Sequence, residues 1–245
     1  MCYPRRSATS VWAYHTPGRR VPSTMATSGC YARNKPKLAA MRRPLVLAKN
    51  FRSFANLAAA YEEGVDYRIT RVPRPGSTIG IVAPHGGRIE AQTSEIATAI
   101  AGADLSLYVL EGIRSTGNYA ALHLTSHYFD EPGCLELLAT CDDVVAIHGC
   151  KVDGEVVLVG GLNNELAAEL GAAMTKAGLE CYLDGHEFPG THPNNICNRG
   201  RRSVGVQLEL SAAFRESSPH KRRLVASVRE VLLRRVARWT PPGAA

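Results

Sequence analysis

Residues 79–90 read IGIVAPHGGRIE, an apolar run that ends in a proline, a histidine and two glycines. The apolar run predicts a buried strand, and the residues after it predict a loop at the carboxyl end of that strand. Paired glycines permit a sharp backbone path, which would turn His85 and Glu90 toward one point. This segment therefore raises the question of which ligand the side chains of His85 and Glu90 bind.

Short apolar runs recur along the chain and alternate with helical patterns. The runs predict strands over residues 78–83, 105–110, 120–125, 143–148, 156–159, 180–183 and 205–210. Periodic apolar positions predict helices over residues 50–64, 91–101, 133–139, 163–177 and 219–238. This alternation predicts one α/β domain with a mixed, largely parallel central sheet flanked by helices. Sites in such sheets form beyond the carboxyl ends of the strands.

Charge is distributed unevenly along the 245 residues, whose formal net charge is +7. The first 61 residues contain 11 Lys and Arg residues and no acidic residue. From Glu62 onward, 18 basic residues stand against 22 acidic ones, a balance of −4. Because the basicity belongs to the first segment, we expect no nucleic-acid partner for the folded domain.

Residues 1–44 mix Arg, Ser, Thr, Pro and Gly without a hydrophobic period, which predicts a disordered basic N-terminal extension. Two other interpretations are an organelle transit peptide and an over-extended start with Met41 as the true beginning, and we favour the latter. The predicted folded domain spans residues 45–240.

Seven cysteines occur without a Cys-x-x-Cys pair, so we expect free thiols in a reducing compartment. No apolar run reaches 18 residues, and no apolar stretch of secretory length follows the arginine pairs near the N-terminus. We therefore expect a cytoplasmic protein without a membrane partner, and we take it to be a monomer.

Three predicted strand ends carry side chains that could bind a metal ion. His85 and Glu90 follow the first of them, His148 ends the run DDVVAIHG, and Glu209 lies near the end of GVQLELS. Imidazole nitrogen and carboxylate oxygen are both ligands of Zn²⁺. Each residue alone also fits a simpler interpretation, such as a turn, a helix start, a half-buried imidazole or an edge-strand carboxylate. Their joint position at the open edge of the sheet favours a zinc site.

Four segments together resemble the poly-gamma-glutamate hydrolase family of bacilli and their phages: PHGGRIE, LHLTSHYFDEP, VVAIHGC and HPNNICNRGRRSVGVQLELS. The resemblance runs from residue 51 to residue 235. That family is similar in fold to the zinc carboxypeptidases. The resemblance therefore implies a zinc-dependent peptidase that cuts γ-glutamyl amide bonds.

Carried over residue by residue, the resemblance makes His85, Glu90 and His148 the zinc ligands. His123 and His127 also lie near a predicted strand end and are the alternatives for the third ligand. His148 is favoured because the glycine after it leaves its imidazole room. The spacing between His85 and Glu90 is longer than the His-x-x-Glu of ordinary carboxypeptidases and agrees with the hydrolase family.

The same resemblance makes Glu209 the general base, which would take a proton from water and return it to the leaving amine. An anionic γ-glutamyl substrate is the implied partner, and Arg199 and Arg114 are the predicted contacts for its carboxylates. Two alternatives share this chemistry. One is a zinc amidohydrolase of small N-acyl amino acids such as N-formylglutamate, and the other is a metal- or carboxylate-binding module without catalysis.

Overall fold

The computed structural model describes residues 51–238, which belong to the compact unit formed by residues 44–245. The predicted extension, residues 1–44, lies outside the described residues. Within the described part, no helix is long and apolar enough to cross a membrane. The five cysteines of that part, at positions 134, 141, 150, 181 and 197, are free thiols.

Seven strands and seven helices build the described part of the chain. The strands are β1 (Tyr67–Val72), β2 (Ile79–Gly87), β3 (Ser106–Gly112), β4 (Asp143–Cys150), β5 (Val156–Gly161), β6 (Glu180–Tyr182) and β7 (Val206–Ser211). The helices are α1 (Phe54–Ala58), α2 (Thr93–Ala101), α3 (Asn118–Leu122), α4 (Pro132–Leu138), α5 (Asn164–Lys176), α6 (Ala212–Glu216) and α7 (Ser218–Arg238). Two short 3₁₀ turns, Ser126–Tyr128 and Ile196–Asn198, complete the set.

All seven strands form one sheet in the order β1-β3-β2-β4-β7-β5-β6. The four central strands, β3, β2, β4 and β7, run parallel to one another. The strand β1 is antiparallel to β3, and β5 is antiparallel to β7. The predicted α/β class, with a mixed and largely parallel sheet flanked by helices, is therefore confirmed.

Helices cover both faces of the sheet, because the strand side chains alternate between two apolar layers. One layer joins Ile81, Ile147 and Leu208 to helices α2, α5 and α7. The other joins Val82 and Ala146 to helices α1, α3 and α4. Burial of both faces explains why the central strands read as nearly continuous apolar runs.

The carboxyl end of β2 departs from regular pairing. The strand stays paired with β4 only as far as Val82, and its register with β3 shifts between Ala83 and Gly86. Pro84 lies in the shift and has no amide hydrogen to donate to a ladder. A bulge of this kind turns the side chains that follow it. His85 also lies in this shift, and its ring lies beside that of His148 in β4.

One sequence prediction of secondary structure was wrong, and two elements, β1 and α6, were not predicted. The predicted strand over residues 120–125 is helix α3 followed by an irregular segment, because Gly117 adopts a φ of 70° and starts a helical turn there. A short apolar run does not distinguish a buried strand from a buried helix. The strand β1 was missed, since its sequence YRITRV carries the charges that are typical of an edge strand.

Candidate active site

Three neighbouring strands bring the predicted site residues together at one edge of the sheet. His85 lies at the end of β2, His148 near the end of β4 and Glu209 near the end of β7. His148 and Glu209 are direct partners in the parallel ladder between β4 and β7. Side chains that pair across a parallel ladder project from the same face of the sheet. The topology therefore places an imidazole and a carboxylate side by side.

The orientation of the buried His85 ring follows from its hydrogen bonds. Its Nε2 lies 2.8 Å from the carbonyl oxygen of Leu124, which can only accept, so Nε2 carries the proton. In the neutral ring Nδ1 then presents a lone pair. This Nδ1 lies 3.1 Å from Oε1 of Glu90 and 3.2 Å from Nδ1 of His148.

The loop after β2 fixes Glu90. Its backbone N–H donates to the carbonyl of His85 over 2.9 Å, and the amide of Gly87 donates to the Ser94 hydroxyl over 2.7 Å. The Oε2 atom of Glu90 accepts a 2.8 Å bond from the amide of Gly149. Burial opposes the charged carboxylate, but His85 and hydrogen bonds from the neighbouring imidazoles hold the pKa of Glu90 well below its ordinary value.

His148 and His123 approach Glu90 from different sides. Nδ1 of His148 lies 3.7 Å from Oε2, and Nε2 of His123 lies 3.5 Å from Oε1. The His148 ring is buried and its Nε2 lies 3.4 Å from the Ser126 hydroxyl. The His123 side chain is 24% exposed and stacks on Tyr119. Burial disfavours charge on both rings, yet Glu209 and Glu90 raise the pKa of His148, whereas the pKa of His123 is lowered.

These side chains fit a metal ion. A lone-pair nitrogen of His85, Nδ1 of His148 and a carboxylate of Glu90 converge within 3.7 Å of one another, an arrangement that a bound cation would stabilise. His85, Glu90 and His123 also present a ligand atom each within 4.8 Å of one another. Two ligands of a tetrahedral Zn²⁺ lie about 3.3 Å apart, given bonds of about 2 Å. The carbonyl of Leu124 supplies the outer contact that orients a metal-binding imidazole.

Glu209 lies in the same layer and is held by a chain of amides. It is 8% exposed, and Nε2 of Gln207 lies 3.4 Å from its Oε1. Gln207 in turn donates to the carbonyl of Phe188 and accepts a 2.8 Å bond from Asn195. Burial raises the pKa of Glu209, although His148 lowers it. A buried carboxylate in this position could take up a proton from water and release it to a leaving group.

A cavity of about 810 Å³ opens over these residues. Its wall includes residues 187–192. The side chain of Asn198 anchors that segment by hydrogen bonds. The Asn198 amide donates to the carbonyls of Gly190 and His192, and its oxygen accepts from the amides of Leu162 and Gly205. The motif HPNNICN thus serves as the support of the cavity wall.

The two predicted substrate arginines lie outside the cavity lining. Arg114 pairs with Asp66 and its guanidinium lies 5.2 Å from the centre of the Tyr61 ring. Arg199 directly follows the turn Ile196–Asn198. The structure does not bring either guanidinium to the His85 cluster.

Other cations line the cavity instead. They are Arg88, Lys151 and Arg215, and an aromatic ring, Tyr119, lies beside them. Lys151 approaches that ring at 5.5 Å. Sequence reasoning missed these residues although Arg88 lies within PHGGRIE and Lys151 directly follows VVAIHGC, because it considered only histidines and carboxylates at those strand ends. One sequence feature could have indicated Arg215. It lies about one helical turn after the end of the strand that carries Glu209, and therefore near the same edge of the sheet.

Comparisons with known proteins place the chain in a family. The sequence profile of the poly-gamma-glutamate hydrolase family matches residues 51–229. The chain belongs to the poly-gamma-glutamate hydrolase family. The resemblance first seen in four short segments is therefore confirmed, and it extends over most of the described part.

Individual members of the family are similar over long stretches. The UPF0714 protein YndL of Bacillus subtilis (strain 168) is 35% identical over 158 residues, which are 64% of this chain and 62% of YndL. A bacteriophage poly-gamma-glutamate hydrolase superposes with a TM-score of 0.73 and 29% identity over 77% of this chain and 99% of that one. A zinc-free apo structure of YndL gives a TM-score of 0.68 and 31% identity, covering 78% and 98% of the two chains.

Proposed function

We propose that this protein is a zinc-dependent hydrolase of γ-glutamyl amide bonds, acting on poly-γ-glutamate or on γ-glutamyl peptides. The observation that carries the proposal is the convergence of His85, Glu90 and His148 beside Glu209 at the floor of one cavity. Membership of the poly-gamma-glutamate hydrolase family supports the reaction class. The zinc-free designation of the YndL structure supports the choice of metal.

Ring geometry favours His148 over His123 as the third ligand. Two imidazoles on one tetrahedral Zn²⁺ have ring centres about 5 Å apart, because each centre lies about 3 Å from the metal. The ring centres of His85 and His148 are 5.1 Å apart, whereas those of His85 and His123 are 4.1 Å apart with their planes tilted by 31°. His123 therefore packs on the face of His85, and with three protein ligands one position would stay open for the reaction.

In the proposed mechanism Glu209 moves the proton. When bound, Zn²⁺ supplies Lewis-acid activation of the scissile carbonyl and of water. Glu209 accepts the proton of the attacking water at its carboxylate and delivers it to the leaving amine nitrogen. Gln207 holds the Glu209 carboxylate, and its own amide is fixed by Asn195 and Phe188. This support keeps the base in one position while the substrate binds.

The cavity suits a substrate that carries a carboxylate on each residue. Arg88 and Lys151 are exposed at its lining, and Arg215 is half-buried. Guanidinium and ammonium groups bind carboxylates by charge-assisted hydrogen bonds. These three cations replace Arg199 and Arg114 as the contacts that the geometry favours.

A hydrolysis assay tests the proposal. Purified protein, treated with a chelator and then restored with one equivalent of zinc, is incubated with poly-γ-glutamate and with α-linked polyglutamate of the same length. We expect zinc-dependent release of new amino groups from the γ-linked polymer alone. Cleavage of neither polymer, or cleavage that survives complete removal of metal, would overturn the proposal.

A further inference from the structure

Arg215 is the half-buried cation of the cavity lining, and backbone carbonyl groups hold it in place. It lies in α6, directly after the strand that carries Glu209. Its Nε donates to the carbonyl of Leu210 over 3.1 Å, and Nη1 donates to the carbonyl of Ala91. These bonds lock the guanidinium between β7 and the loop that carries Glu90. A side chain fixed in this way loses little further freedom when it binds a ligand.

The backbone of β4 leaves space for this guanidinium. A Cβ atom on Gly149 would lie 2.7 Å from Cζ and 3.0 Å from Nη2 of Arg215. Gly149 is also the residue whose amide donates to Glu90. The guanidinium therefore packs against Gly149, the residue whose amide binds Glu90.

The charge of Arg215 has no ion-pair partner within residues 51–238. In that part of the chain, eight other arginines pair with carboxylates. Backbone carbonyls satisfy Nε and Nη1 of Arg215, whereas Nη2 has no acceptor among the described residues. A guanidinium is always charged and presents its donors in a planar fork. Arg215 thus offers a fixed guanidinium with a free donor for an anion at the cavity lining, and its charge also lowers the pKa of the nearby Glu209.

The chemistry of a γ-linked chain indicates which anion this is. In poly-γ-glutamate the nitrogen of each amide is attached to a carbon that carries a free α-carboxylate. Inside an α-linked chain, that carbon carries an amide carbonyl instead. A cation beside the scissile bond therefore recognises the γ linkage directly.

We propose that Arg215 binds the α-carboxylate of the residue that supplies the leaving nitrogen, and that this contact makes the enzyme selective for such residues. The inference rests on the proposed function and identifies Arg215 as the group that distinguishes a γ linkage from an α linkage. Arg88 and Lys151 are exposed and would contact carboxylates farther along the chain.

A matched pair of substrates tests the assignment. The first is a γ-linked glutamate oligomer, in which mass spectrometry locates the bond that the wild-type protein cuts. The second is the same oligomer with the α-carboxylate next to that bond replaced by a carboxamide. The ratio of kcat/KM between acid and amide is measured for zinc-loaded wild type, Arg215→Gln, Arg215→Lys and Arg222→Gln. Arg222 is exposed on α7 and serves as the control.

We expect wild type and Arg222→Gln to prefer the acid by about 10- to 100-fold, the worth of a hydrogen-bonded charge pair. Arg215→Gln should cut both substrates at similar rates, because it has lost the group that distinguishes them. Arg215→Lys should show an intermediate ratio, since it keeps the charge but not the fork. A purely structural role would lower both rates and leave the ratio unchanged.

The outcomes separate the two proposals. If wild type does not cut the γ-linked oligomer, the proposed function fails. If it does, and both Arg215 variants keep the wild-type ratio with full zinc content, the role of Arg215 is overturned and the function stands. If Arg215→Gln does not fold, the ratio in Arg215→Lys decides, and a wild-type value there overturns the assignment.

Discussion

His148 and Glu209 are partners in the ladder between two parallel strands, and this pairing joins the candidate metal cluster to the candidate base. Neither residue lies on a flexible loop, so their relative position is set by backbone hydrogen bonds of the sheet. Both are buried. A site built on strands in this way is held more accurately than one built on loops.

The choice of the third ligand can be tested with two single variants. Removing a zinc ligand should weaken zinc binding by more than the roughly 10- to 100-fold that loss of an outer contact costs. We expect His148→Ala to weaken zinc binding by more than about 100-fold. We expect His123→Ala to weaken it by no more than about tenfold. Competition titration with a zinc chelator measures both affinities. Tighter zinc binding by His148→Ala than by His123→Ala would reverse the assignment.

The close packing at Gly86 predicts a loss of stability on substitution. A Cβ atom there would lie 2.3 Å from the Ser94 hydroxyl oxygen and 2.9 Å from a methyl group of Val109. We expect Gly86→Ala to lower the free energy of unfolding by about 1 to 3 kcal/mol, the usual cost of overpacking. Urea denaturation measures the change.

Gly133→Ala is the matched control for that variant, because its Cβ would meet its nearest neighbour at 3.3 Å. We expect a change within about 0.5 kcal/mol there. Equal stability of the two variants would show that the end of β2 relaxes to accept a side chain.

Asn198 should be needed both for stability and for the shape of the cavity. Its side chain satisfies four backbone groups, including the carbonyls of Gly190 and His192 in the cavity wall. We expect Asn198→Ala to lose at least about 2 kcal/mol of unfolding free energy, because buried polar groups are left without partners. Its KM for the γ-linked polymer should rise as the wall loosens.

The neighbouring Asn194 offers a control within the same motif. Its side chain is exposed, so Asn194→Ala should leave stability within about 0.5 kcal/mol of wild type. Chemical denaturation and steady-state kinetics of the two variants check the contrast. An Asn198→Ala variant with wild-type stability and wild-type KM would contradict the supporting role of the motif.

The fold and the cluster could be predicted because they depend on patterns that are local in sequence. Buried central strands read as apolar runs, and the histidines and glutamates at their ends stand out against them. The edge strand β1 could not be predicted, since its charged residues resemble those of a loop. The helix α3 was mistaken for a strand for a different reason, since a short apolar run does not distinguish a buried strand from a buried helix.

The cations of the cavity could not be found in the same way. An arginine on a helix gives no sequence signal for the direction of its side chain, and Arg215 reaches the cavity only because Gly149, 66 positions earlier, lacks a Cβ. Arg199 was chosen because it lies in a motif. That motif supports the cavity wall through its asparagines, and the guanidinium of Arg199 is not part of the lining.

The most direct test of the central proposal is the turnover of Glu209→Gln at full zinc occupancy. The substitution keeps the size of the side chain and removes its ability to accept a proton. We predict one zinc per chain, little change in substrate affinity, and a fall in kcat of roughly 10²- to 10⁴-fold on poly-γ-glutamate. A zinc-loaded Glu209→Gln protein with near wild-type turnover would contradict the mechanism, and loss of zinc from this variant would make Glu209 a metal ligand instead of the base.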